Sequence, residues 1–250
     1  MDIVALFTTT LPAIALTLIC GISVCLGWLL PLYRFPLTPR LFCMFTSFAA
    51  GMMACLGVAA LLETCSLLGF VLFGCGWVTM LGIEHLLHRS EHALDQATPC
   101  TVSACLGPAV ALGMHNLPEC FFVLNTAMGN LSLGAGLALA MILHNVPLGI
   151  SLGLAGSHMR ASLRAFSTLL AGIVPVVVAC CLEFFLQSLF SAEVIEHISP
   201  FAAGALCVIA LRQLLPQARQ HGSVTGVAVG FGLGIAVLCL ILTTLHDHIH

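Results

Sequence analysis

The chain has 250 residues, 60% of them hydrophobic and only 7% charged, with a formal net charge of −3 and a mean hydropathy of +1.13. Soluble domains carry roughly 25% charged residues, so the composition excludes a soluble globule and implies a polytopic protein embedded in a lipid bilayer. All seven basic residues are arginines and form no basic stripe, which excludes nucleic acid as a partner.

A helix needs about 20 apolar residues to cross a bilayer. Cutting the chain at polar and Pro/Gly clusters predicts eight spans, 4–30, 41–63, 67–88, 102–126, 131–156, 162–190, 198–219 and 223–246. The expected fold is therefore an all-α membrane protein, with residues 1–250 forming one transmembrane domain. The N-terminus lacks a basic region and a cleavage site, so it reads as a first span and not a removed signal peptide. Arg34 and Arg40 follow that span. The third ends near Glu84 and His85, and the polar run 89–101 after it is expected to be a mobile loop.

The arginines set an orientation. Arg34, Arg40, Arg89, Arg160, Arg164, Arg212 and Arg219 all fall on one side of an eight-span chain. The positive-inside rule makes that side cytoplasmic and puts both termini outside, as in a plasma or inner membrane. Phe48-Ala49-Ala50-Gly51 in the second span returns as Phe201-Ala202-Ala203-Gly204 in the oppositely directed seventh. Such an echo is what an inverted repeat of helices 1–3 and 6–8 around helices 4 and 5 leaves in sequence. Small residues that pack helices closely, within one chain or in a homodimer, are the alternative.

The fourth and fifth spans carry matching polar motifs, His115-Asn116-Leu117-Pro118-Glu119 and His144-Asn145-Val146-Pro147. Ionisable residues within a span are expensive and point to function. Each histidine lies about 20 Å from its entry point at 1.5 Å per residue, near the middle of the bilayer. His115 and Glu119, at i and i+4, share a helical face. The prolines free the carbonyls of Met114 and Leu143, which can face a polar cavity. The expected metal ligands are His115, Glu119 and His144, helped by Asn116 or Asn145. A mixed nitrogen and oxygen set suits zinc, and also iron or manganese, better than calcium. The metal is then cargo, and no resident cofactor is implied. Histidines that merely tie two helices together are the plainer reading.

These motifs resemble those of the ZIP (Zrt/Irt-like) family of divalent metal transporters, whose fourth helix carries a His-Asn-Xaa-Pro-Glu/Asp motif and whose fifth often has a similar one. The Phe-Ala-Ala-Gly helices, Glu84-His85 and the histidines 88 and 92 extend the resemblance over nearly the whole chain. It implies eight helices, outward termini, a metal site between helices four and five, and movement of metal into the cytoplasm as one helix bundle shifts against another. Two positions depart from the family pattern. Leu148 stands where the fifth-helix motif usually has glutamate, and Val174 stands before Pro175 where the sixth often has one. The expectation is a single-metal site with one carboxylate, with weaker binding that is sensitive to pH because both histidines must be neutral.

Lesser features are open. Cys120 could add a thiolate, although it lies about 100° around the helix from Glu119. Glu183 is expected to reach the membrane interface, with an entry path as the other reading. Glu63 could attract cations, and His246, His248 and His250 could collect them, while His85, His88 and His92 could receive released metal. Most of the other cysteines sit in apolar segments, no C-x-x-C pair occurs, and they read as small hydrophobes. An intramembrane hydrolase is disfavoured because no His-Glu-Xaa-Xaa-His occurs and Glu119 serves better as a ligand than as a base. A non-transporting relative, a metal sensor or partner subunit, remains the alternative.

Overall fold

A computed structural model describes residues 6–29, 38–97, 100–155, 160–189 and 199–247, without the side chains of 6–7, 87–97, 100–105, 151, 154–155 and 245–247. Arg34, His248 and His250, with the side chains of His88, Arg89, His92 and His246, thus lie outside the described residues. Every long element is helical. They are α1 (Leu11–Leu29, led in by a π-helical turn Leu6–Thr10), α2 (Pro39–Thr64), α3 (Leu67–Ala97), α4 (Cys100–Gly129), α5 (Leu131–Ala155), α6 (Ala161–Leu189), α7 (Ser199–His221) and α8 (Val224–Asp247).

Among the described residues, seven of these helices are long and apolar enough to cross a membrane; α4, which carries His115, Asn116 and Glu119, falls outside that set. Its polar residues point inward, while Leu62, Leu67, Val78, Phe185 and Leu240 on other helices are exposed. Apolar side chains left outside on most helices, with buried polar ones between them, are the inside-out distribution that lipid solvation requires. The protein is an all-α, multi-pass membrane protein.

One expectation fails at the end of α3. The run 89–97, expected to be a loop, continues the helix to Ala97. Its Ser-Glu-His-Ala-Leu-Asp-Gln-Ala sequence contains neither glycine nor proline to break a helix.

The helices form two bundles. α1, α4, α5 and α6 pack together, as do α2, α3, α7 and α8, with α4 and α5 meeting α7 and α2 across the divide. Both Phe-Ala-Ala-Gly motifs are packing devices of one kind. Gly51 lies against the carbonyl of Phe231, and Gly234 against that of Phe48, so α2 and α8 interlock through Phe48–Gly51 and Phe231–Gly234. Gly204 meets the carbonyl of Phe73 and Gly76 that of Phe201, so α7 and α3 interlock identically. A Cβ at any of the four glycines would collide with backbone, and close backbone approach is how small residues hold helices together in lipid.

The correspondence extends further. Exchanging α1–α3 for α6–α8 and α4 for α5 turns the α2/α8 pair into α7/α3 and the α1/α5 pair into α6/α4. These are four of the five most extensive helix contacts among the described residues, and the fifth, α2/α7, maps onto itself. Helix packing and an internal repeat are therefore compatible readings of the same residues. Gly27 and Gly149 likewise fit against α5 and α1 of their own chain, against the carbonyls of Val146 and Val24.

α7 is irregular. Between Ser199–Val208 and Leu215–His221 it widens into a π-helical stretch, Ile209–Leu214, where the amide of Leu215 bonds the carbonyl of Ala210, five residues back. Pro216 has no amide hydrogen and its ring crowds the carbonyl of Arg212, so widening the preceding turn relieves the clash.

Candidate metal site

The site is built on the α4–α5 hairpin, whose turn is a single residue. Asn130 donates its amide to the carbonyl of Thr126 at 2.7 Å and accepts from the amide of Leu133 at 3.1 Å through Oδ1, capping α5 as α4 ends. His115 precedes this turn by 15 residues and His144 follows it by 14. At 1.5 Å per residue both stand about 21–23 Å from the turn, at the same depth.

His115, Glu119 and His144 converge, each buried, with ligand atoms all within 4.8 Å of one another. Nε2 of His144 is hydrogen-bonded to Glu119 Oε1 at 3.1 Å, and Nε2 of His115 lies 3.2 Å from the same oxygen but out of line for a hydrogen bond. The rings sit edge to face, with centroids 6.1 Å apart. Two ligands on one tetrahedral zinc, each about 2.0–2.1 Å from it, lie roughly 3.3 Å apart. The spacings across Glu119 match that separation.

The asparagines have a second job. Nδ2 of Asn116 donates to the carbonyl of Ala171 on α6 at 2.8 Å, and Nδ2 of Asn145 donates to the carbonyl of Cys20 on α1 at 3.1 Å. Each motif is thereby fixed to the neighbouring helix of its bundle, and the two bonds correspond under the helix exchange described above. Such bonds are worth about 1 kcal/mol each in a membrane. They also orient both amide oxygens. Asn116 Oδ1, Asn145 Oδ1, His115 Nε2 and Glu119 Oε2 are buried without a hydrogen-bond partner among the described protein atoms. Unpartnered buried polar atoms are uncommon and call for an explanation; here four of them, all metal-ligand types, belong to the two motifs.

Other expected participants stand apart. Cys120 is buried in the apolar core and its thiol is not among the atoms brought together. Val174 is 43% exposed, on the outer face of α6, and α6 approaches the motifs through Ala171. Leu148 is 7% exposed and lies beside His115 on the wall of a cavity.

Besides a cavity of about 300 Å³ lined by Leu117 and Pro118, two cavities lie toward opposite ends of the molecule. One of about 330 Å³ runs from His115 and Leu148 past Pro108 and Leu152 to Gln213 and Gln217 of α7, at the end of the molecule that carries the arginines. The π-helical stretch of α7 supplies Gln213 and Leu214 to its wall. The other, about 370 Å³, lies at the opposite end, lined by Glu63, Thr126, Phe122, Leu137 and Ser199, and includes none of the site residues. His115 thus borders only the first of these two.

Glu183 departs from expectation. It does not reach the interface; it is 1% exposed, and Oε1 accepts from Nε2 of Gln187 at 3.0 Å and from Nδ2 of Asn125 at 3.4 Å. Buried away from water, the carboxyl group takes its hydrogen bonds from neighbouring amides. Asn125, Gln187, Ser199, Gln213 and Gln217 were not singled out by sequence reasoning. The available signal was polarity inside an apolar span, and Asn125, six residues past Glu119, carried it.

At the arginine end, Glu84 pairs with Arg212 at 3.2 Å, Arg164 lies 5.7 Å over the ring of Trp28, and His85 is exposed.

No family model matches the chain. It is, however, similar along most of its length to proteins named zinc transporter ZupT. The relative from Stenotrophomonas maltophilia strain K279a is 27% identical, covering 88% of this chain and 92% of its own. Those from Shigella dysenteriae serotype 1, at 27% identity over 89% and 93%, and Chlorobium chlorochromatii, at 25% over 92% and 96%, agree. The resemblance to the ZIP family seen in the two motifs therefore extends across about nine-tenths of the chain.

Proposed function

We propose that the protein carries a divalent transition-metal ion, zinc foremost and iron(II) or manganese by the same ligand chemistry, across a plasma or inner membrane into the cytoplasm. The ion is held singly between α4 and α5 by His115, Glu119 and His144, with the amide oxygens of Asn116 and Asn145 completing its shell. The observation that carries this reading is the set of buried, unpartnered ligand atoms on two antiparallel helices at one depth. The relatives' printed name, zinc transporter, supports the cargo.

Alternating access is supported by the two bundles and by the unequal cavities: His115 borders the cavity at the arginine end, while Phe122 and Leu137 line the floor of the other. The arginine end is cytoplasmic by the positive-inside rule, so this arrangement is inward-facing and both termini lie outside. Each bundle moves as a unit because its helices interlock backbone to backbone. On this reading Glu119 bonds His144 when no ion is held and turns to the ion when one arrives.

Leu148 favours a second reading. An apolar residue beside His115 on the cavity wall gives the departing ion no further carboxylate, as in a relative that binds metal without moving it. Flux of zinc, iron(II) and manganese into proteoliposomes separates the two. Saturable flux in the parent, lost in His115→Ala, supports transport through this site. Binding without flux in the parent, with flux gained in Leu148→Glu, selects the sensor or partner subunit.

A further inference from the structure

Glu183, Asn125, Gln187 and Ser199 form a polar cluster at the end opposite the arginines that the central site does not use. Glu183 and Gln187 belong to α6, Asn125 to α4, and Ser199 to the first turn of α7 in the other bundle. Ser199 Oγ donates to Asn125 Oδ1 at 3.3 Å, Asn125 Nδ2 donates to Glu183 Oε1 at 3.4 Å, and Gln187 Nε2 donates to the same oxygen at 3.0 Å. The hydrogen-bonded chain therefore runs from one bundle to the other.

The second carboxylate oxygen, Glu183 Oε2, is buried without a partner. No arginine or histidine pairs with Glu183 among the described residues. A carboxyl group buried without a basic partner is neutralised either by a proton or by a cation, and two neutral amides supply only hydrogen bonds. The available donors are a carboxylate, two amide oxygens and a hydroxyl, all hard oxygens of the kind that manganese, magnesium and calcium prefer.

The 370 Å³ cavity has Ser199 on its wall at one side and Glu63 at another, and Asn125 and Glu183 follow Ser199 along the hydrogen-bonded chain behind that wall. Asn125 lies six residues beyond Glu119 on α4, about 9 Å along the axis, and Phe122 and Leu137, both buried, stand on the cavity wall toward the central site.

We propose that Glu183, Asn125 and Ser199 form a second, oxygen-donor site for a divalent cation, reached from the cavity at the end opposite the arginines and distinct from the histidine site. This claim concerns binding alone and stands whether or not the protein transports metal.

The test is equilibrium binding of Mn²⁺ to the purified full chain, with free Mn²⁺ read by electron paramagnetic resonance. The parent is expected to bind two ions, and His115→Ala/His144→Ala one. Adding Glu183→Gln to that double variant is expected to abolish binding. Ser199→Ala, at a helix end lining the cavity, keeps the test open if Glu183→Gln does not fold; it is expected to weaken the residual site roughly tenfold, as loss of a supporting contact does. A double histidine variant that binds no Mn²⁺ overturns the proposal, as does residual binding unchanged by Glu183→Gln or Ser199→Ala. Loss of the histidine-dependent ion alone would leave the second site intact and count against the central reading only.

Discussion

The two His-Asn-Xaa-Pro motifs are alike in scaffold and unlike in chemistry. Both sit at one depth on α4 and α5, and both asparagines donate to a carbonyl of the adjacent bundle helix, Ala171 for Asn116 and Cys20 for Asn145. They part at the fourth residue after the histidine. Glu119 faces both imidazoles, whereas the corresponding Leu148 lines a cavity. On the proposed reading the matching motifs set where ligands stand, and a single side chain decides how much negative charge would meet the ion. With one carboxylate and two neutral imidazoles, a divalent cation held there would keep a net positive charge, which would favour release over tight retention.

The comparison breaks most sharply at Glu119. Glu119→Gln removes the one carboxylate common to both histidines, and zinc affinity by equilibrium dialysis should fall by at least about 100-fold, beyond the usual effect of losing a supporting residue. The corresponding change at the other motif, Leu148→Ala, should leave affinity within a few-fold. Leu148→Glu should sharpen the contrast from the opposite side. It makes the motifs chemically equal, and zinc should bind on the order of tenfold tighter as the ligand shell gains charge, with slower release in stopped-flow chelator chases.

The asparagines test the shared scaffold. Asn116→Ala leaves the buried carbonyl of Ala171, which Pro175 cannot serve, without a donor, and should destabilise the protein by about 1–3 kcal/mol. After Asn145→Ala the carbonyl of Cys20 keeps the Ser23 hydroxyl at 2.6 Å, and the loss should be smaller. Thermal unfolding in detergent should show the larger loss in Asn116→Ala, and a larger loss in Asn145→Ala would contradict this account of the two carbonyls. The mildest probe is acidification. Protons compete with metal for His115 and His144, so apparent affinity should decline as pH falls, with up to about two protons released per ion bound. A pH-independent affinity would exclude imidazole ligation.

Much of this was legible in sequence because the membrane imposes simple rules. Helix length and apolarity marked seven of the eight spans among the described residues, and equal distances from the entry points of their spans put His115 and His144 at one depth. The run 89–97 was misjudged because polarity indicates leaving the membrane, not leaving the helix. Glu183 was misjudged because its partners come from two other places, Asn125 on α4 and Gln187 one turn further along α6, and no local pattern announces such a convergence. The mates of the Phe-Ala-Ala-Gly motifs, Phe73–Gly76 and Phe231–Gly234, share only the first and last residues. They became recognisable once each glycine was seen against a phenylalanine carbonyl.

The most direct test of a single ion held between the two motifs is X-ray absorption at the zinc edge of protein loaded with one equivalent of zinc. Scattering from two imidazoles and from oxygen at about 2.0–2.1 Å, with one imidazole lost in His115→Ala and one in His144→Ala, is the expected result. An all-oxygen shell, a sulfur ligand, or a spectrum unchanged by either substitution would contradict it.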